Sequence, residues 1–221
     1  MRRIFILYFF LKAIFIWAGD VEEKKNLSKT DPNSVLYFVT CEWTGGLGFS
    51  NLEGDGVRGD SMIKALDACL KAKIHAKCAI VNSVLVSSYY DNAVEKFKVA
   101  YKSSVRGYSA LELKDFELDS VIPLIKESFT LNSWPKDLPL YTQASRLNAL
   151  NAAKVKCETL TCDLCLHETL THSDVSKSNE YYSIKSDATA SCYQRKSLEK
   201  LRIEKYPELN ELPTVPSIKD Y

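Results

Sequence analysis

Cys157, Cys162 and Cys165, followed closely by His167 and His172, gather the thiol and imidazole groups that ligate zinc. Two features count against a metal. No second paired motif completes the set, and an alternating strand over 162–171 sends Cys162 and Cys165 to opposite faces. A redox-active Cys162-x-x-Cys165 fits poorly, because such motifs open a helix and this one follows one. Gly54-Asp-Gly56-Val-Arg-Gly59 has the spelling of a dinucleotide loop and precedes a helical stretch, but no strand leads directly into it and no acidic residue sits about 20 positions on. Asn51, Glu53, Asp55 and Gly56 open like a calcium loop. Its twelfth position is Met62, where a bidentate glutamate belongs. Arg58-Gly59-Asp60 spells an integrin-binding tripeptide and requires only an exposed loop.

Acid–base catalysis has few candidates. Only His75, His167 and His172 could serve as a base, and no serine lies in a nucleophile elbow. His75 reads as a solvated turn residue and His167 as a partly buried structural one, while Glu112 and Asp115 read as surface carboxylates. No catalytic, metal-ligating or cofactor-binding residue is therefore assigned, and no cofactor is expected.

The cysteines point to disulfides instead. Cys41, Cys69, Cys78, Cys157, Cys162, Cys165 and Cys192 all lie beyond an apolar leader: Arg2 and Arg3, then Ile4–Leu11 and Ala13–Ala18. That leader resembles a secretory signal peptide, is interrupted by Lys12, and falls short of the roughly 20 apolar residues that span a bilayer. Cleavage after Ala18 is expected, and a secreted or periplasmic compartment suits disulfides. Cys69 and Cys78 are expected to bond across a helix-to-strand turn, and Cys157 with Cys165 repeats nearly the same separation. Cys41, Cys192 and one of Cys162 or Cys165 are left over. Seven is odd, so one thiol stays free or bonds another chain, and Cys162 is the first candidate for it.

Charge narrows the partners. Loss of Arg2, Arg3 and Lys12 leaves 26 of the 29 basic residues against 28 acidic ones, which supplies no basic face for nucleic acid. Membrane-surface binding is weakened equally, and no stable insertion is expected after cleavage. Trp43, Tyr89, Tyr90, Trp134, Tyr181 and Tyr182 sit at strand ends or in loops, where large aromatics anchor partners.

The elements that must position these residues form an α+β pattern. Residues 19–34 read as a polar tether and 35–206 as the folded domain. Val35–Trp43 is a strand; Thr44–Gly59 holds six of the eight glycines and reads as a loop. A helix capped by Asp60 or Ser61 follows, then a strand over Cys78–Ser88 and a helix over Asp91–Tyr101. Leu111–Leu118 alternates weakly, and Ser120–Phe129 reads as a short helix. After the proline-containing link Asn132–Leu140 come a helix over Tyr141–Cys157, strands over Cys162–Thr171 and Tyr181–Ile184, and a C-terminal helix over Ala188–Lys205. Residues 207–221, with Pro207, Pro213 and Pro216, read as an extended tail.

Ser61-Met-Ile-Lys-Ala-Leu-Asp-Ala and Ser145-Arg-Leu-Asn-Ala-Leu-Asn-Ala share a pattern, and Cys78 and Cys162 follow at one offset. Two related strand-helix-strand halves, 35–131 and 132–206, are the expected organisation of a disulfide-stapled domain. The chain reads as an exported protein that binds another protein. The alternative is a small secreted hydrolase or toxin with a dispersed site around the glycine loop and His167.

Overall fold

The computed structural model describes residues 20–25, 35–45, 50–72, 77–134, 138–178 and 180–205. The expected signal segment, most of the expected tether, His75 and the expected tail lie outside them.

The protein is α+β, with two antiparallel sheets. In the first, β1 (Asp20–Lys25), β2 (Val35–Gly45), β4 (Lys96–Tyr108) and β3 (Lys77–Asp91) lie in that order, and helix α1 (Asn51–Lys71) connects β2 to β3. In the second, β9 (Tyr181–Arg195) is central. β6 (Leu124–Ser133) and β5 (Phe116–Leu118) share one of its sides, and β8 (His172–Ser178) and β7 (Leu164–Leu166) the other. Helix α2 (Leu138–Thr159) connects β6 to β7. A final helix, α3, spans Leu198–Lys205.

Strand alternation builds the core. Val35, Tyr37, Val39 and Cys41 on β2 and Val105 on β4 are buried beneath Val57, Leu66 and Cys69 of α1. Ile125, Ala188, Ala190 and Cys192 in the second sheet lie beneath Leu147, Leu150 and Ala153 of α2.

Several expected elements differ. The glycine-rich stretch from Asn51 is helix: Ser50 caps it, its hydroxyl accepting from the Glu53 amide at 3.2 Å while the Ser50 amide donates to the Glu53 carboxylate at 2.6 Å. Low helix propensity yields here to packing between α1 and α2. A Cβ on Gly56 would lie 2.5 Å from Leu140 Cγ, and one on Gly59 would overlap the main chain of Gln143. Glycine lets the helices approach. Asp60 and Ser61 consequently lie in mid-helix, as does Ser145, and both serines are buried rather than capping. The Ser61 hydroxyl bonds Ser103 on β4 at 2.6 Å, and Ser145 donates to the carbonyls of Phe129 and Ile184.

Asp91–Tyr101 is the turn of the β3–β4 hairpin and the first part of β4, not a helix. Phe97, Val99, Tyr101, Ser103 and Val105 alternate with Lys98, Ala100, Lys102 and Ser104, and pairing with two neighbours favours the period of two. Ser120–Phe129 gives way to β6, whose Ile125, Phe129 and Leu131 alternate inward behind Pro123. β9 runs through Arg195, so only α3 of the expected C-terminal helix forms. Cys162–Thr171 shrinks to β7 and a bridge at His167, and the expected half-boundary at 131/132 falls inside β6.

The sheets meet edge to edge. The amide of Cys78 donates to the His167 carbonyl at 3.0 Å, and the His167 amide returns to Cys78 at 2.7 Å. Disulfides Cys69–Cys78 and Cys157–Cys165 tie the C-terminal end of each helix to this seam, and Cys162–Cys192 joins the α2–β7 turn to β9. By loop entropy alone, the 9-residue separation of Cys69–Cys78 is worth about 2.6 kcal/mol and the 30-residue separation of Cys162–Cys192 about 3.6 kcal/mol. Cys41 is the free cysteine, not Cys162 and not a disulfide partner. It lies on the helix-facing side of β2 beneath α1, away from the seam where the bonded cysteines gather.

Gly59→Ala should lower the unfolding midpoint despite gaining roughly 1 kcal/mol of helix propensity, because overpacking costs about 1 to 3 kcal/mol. Thermal denaturation checks this; an unchanged or raised Tm would refute the close-approach role.

Candidate functional site

The seam gathers a cluster of interacting polar groups. Lys77, at the start of β3, contacts the Tyr193 hydroxyl, lies 4.6 Å from the centre of that ring and pairs with Glu168 at 2.9 Å. Ser191 donates at 3.1 Å to the same Glu168 oxygen, Oε1, that pairs with Lys77. Burial alone would pull the Lys77 pKa down, but Tyr193 and Glu168 outweigh it and hold the ammonium above its usual value. Lys77 in turn holds the Glu168 carboxyl below its usual value. The cluster is an ion pair closing the seam, and a charged lysine is no nucleophile.

His167 sits beside it at 2% exposure. Its Nδ1 is 2.9 Å from the Thr189 carbonyl, which can only accept, so Nδ1 carries the proton. Burial pushes its pKa below the ordinary value, outweighing the help that this hydrogen bond gives the charged form. A cleft of about 510 Å³ opens alongside, lined in part by Ile80, Arg106, Tyr108, Glu158, Asp163 and His167. Arg106 is bound to Glu112 at 3.0 Å, and Asp163 accepts the Arg195 amide at 2.7 Å. These groups hold strands and turns in place. His172, by contrast, is exposed and pairs with Asp174 at 3.0 Å.

The other chemical motifs of the sequence do not assemble. Cys157, Cys162 and Cys165 are all oxidised, which removes the thiolates a zinc site or a dithiol would need. Gly54, Gly56 and Gly59 lie within α1 and are buried, so no amide cradle for phosphate forms. Glu53 of the calcium-like run is taken by the Ser50 cap, and Asp60 of the Arg-Gly-Asp tripeptide is buried against Lys64 at 2.8 Å. The Cys41 thiol is pushed up to about 12, first by burial and then by Asp60 beside it, with Lys64 only partly offsetting them. It carries no thiolate at neutral pH.

The binding candidates divide. The Trp43 ring lies across Gly45 where a side chain would otherwise stand, and it packs on the core. Trp134 and Tyr181 form a half-exposed pair, ring centres 4.5 Å apart, with Tyr182 opposite Ser133 beside them. Tyr89 and Tyr90 are exposed near the outer end of β3, and Lys98 lies 5.9 Å from the Tyr89 ring. The strand registers place the Tyr89–Tyr90 and Trp134–Tyr181 groups at opposite ends of the protein.

Sequence reasoning overlooked the residues that link Tyr89 and Tyr90 to the seam. Val84, Leu85 and Val86 are 48%, 52% and 56% exposed, and Val81 also faces solvent. Pairing with Lys102 puts Val84 on the open side of the sheet, while pairing with Tyr101 puts Leu85 on the helix side, so β3 is uncovered on both faces. Two bulges, at Val81 and Val86, break the alternation and add those valines to the strip. The available signal was the absence of any charged residue from Val81 to Tyr90.

Comparison with known proteins finds no matching family model, no matching curated protein and no matching solved structure.

Neutral His167 makes stability depend on pH. Unfolded, the ring takes a proton near 6.5; folded, it resists until lower pH, so the unfolded chain binds more protons and stability falls as pH drops through 6.5. Denaturant titrations at pH 7, 6 and 5 should show a falling midpoint, with the slope between pH 6.5 and 5 flattened in His167→Gln. Equal midpoints in the parent protein would refute a neutral buried ring.

Proposed function

We propose that this chain is an exported, disulfide-stapled binding protein acting through contact with another protein, and that the exposed apolar strip of β3 is its binding surface. The observation that carries the reading is the run of Val81, Val84, Leu85, Val86, Tyr89 and Tyr90 on one uncovered strand. Contiguous exposed apolar surface is a mark of interaction sites, and tyrosine at its end supplies a rigid amphipathic anchor. Three disulfides suit an oxidising compartment, as does the leader ahead of Gly19. No helix among the described residues is long and apolar enough to cross a membrane.

The scaffold is proposed to be two copies of one strand-helix-strand-strand unit. Support comes from the orders β2-β4-β3 and β6-β9-β7/β8, each with its helix after the first strand. Each helix is bonded to the strand that follows it. Equating the units by their disulfides matches Cys78 with Cys165 rather than with Cys162, and Cys69 with Cys157. The buried serines Ser61 and Ser145 correspond as helix-to-sheet hydrogen bonds.

The test places a photo-crosslinking amino acid at Tyr89 or at Val155, which is 59% exposed on α2. The exported chain should begin at Gly19 by intact mass and give a discrete protein adduct from position 89 but none from 155. Retention of Met1 refutes export by cleavage, and equal or absent adducts at the two positions refute the β3 surface.

A further inference from the structure

The strand rows that end the two sheets are not alike. β1 reads Asp20-Val-Glu-Glu-Lys-Lys25, β6 carries Lys126 and Glu127, and β8 carries Asp174 and Lys177. Charges on an outer strand discourage pairing with a further chain. β3 has none from Val81 through Tyr90, and the Asp91 that ends the run is held by Lys98 at 2.7 Å. Past its bridge at Cys78, β3 pairs with β4 alone among the described residues, which leaves one row of its main-chain donors and acceptors turned away from the sheet.

We infer that the occupant of this edge is a second copy of the same chain, with the two β3 strands running antiparallel about a two-fold axis near Leu85 and Val86. The inference rests on the reading of β3 as the binding surface. Antiparallel pairing about a two-fold is self-complementary, since each copy offers the groups that the other lacks. The axis falls at the centre of the uncharged run. There Leu85 meets Val86 of the second copy, Val84 meets its Ser87, and no like charges oppose each other over 81–90. The two Asp91 residues fall at opposite ends of the paired region, each beside its own Lys98. A charged peptide would find no counter-charge along the same ten residues. Because β3 is bare on both faces, Val84 and Leu85 are covered together when the second strand arrives, and two four-stranded sheets join into one of eight.

Light scattering on the disulfide-bonded mature chain, eluted by size exclusion at tens of micromolar, tests this. Twice the chain mass is expected, halved by Val86→Lys and by Val86→Glu alone and restored when the two variants are mixed. Val155→Lys, an equal charge on α2, should leave the dimer intact. Circular dichroism of each variant separates lost pairing from lost folding, and recovery on mixing cannot come from unfolded chains. A dimer that survives Val86→Lys overturns the inference, as does a single-chain mass for the parent protein. In the latter case, a Tyr89 crosslink to a different protein would leave the binding reading standing, and the absence of any adduct would remove both.

Discussion

Two main-chain hydrogen bonds between Cys78 and His167 hold the two sheets of this protein edge to edge. So short a bridge would open readily by itself, because two backbone bonds contribute only about 1 to 3 kcal/mol net. Its surroundings prevent that. Cys78 is bonded to the end of α1, and Cys165, two residues before His167, is bonded to the end of α2. The helices in turn pack on each other through Gly56 and Gly59. Separating the sheets therefore means separating the helices as well, and the Lys77–Glu168–Tyr193 cluster adds a charged contact across the same line.

The seam also explains which polar residues are structural. His167 must reach Thr189 from a buried position and is held neutral there; Ser191 and Lys77 fix Glu168. The residues with the most suggestive chemistry in the sequence are those that the seam consumes. The exposed apolar surface lies where the covering layer stops, because α1 sits over β2 and β4 and leaves the outer part of β3 bare.

Much of the scaffold was legible in the chain. The first strand, the strand after Cys78, the helix over 141–157 and the Cys69–Cys78 and Cys157–Cys165 pairs all follow from spacing that spans few residues. The glycine-rich helix did not. Its start depends on a capping box at Ser50 and Glu53, and its glycines make sense only against a helix more than eighty residues away. β4 and β6 carried apolar residues at spacings compatible with either period, and only cross-strand neighbours decide between them. The Cys162–Cys192 bond was hidden because strand pairing across 30 residues brings the two together.

By itself, then, the sequence determined the α+β class, the short-range disulfides, the near-neutral charge and the uncharged run on β3, since each depends on residue type or on separations the chain spans locally. Tertiary structure alone decided that Cys41 is the free thiol, that His167 is a neutral buried prop and that the Gly54–Gly59 motif is a helix contact. It also decided that β3 is left uncovered. These outcomes turn on burial and on partners distant in the chain, and the energies concerned, of desolvation and close packing, do not exist until the sheets and helices have met.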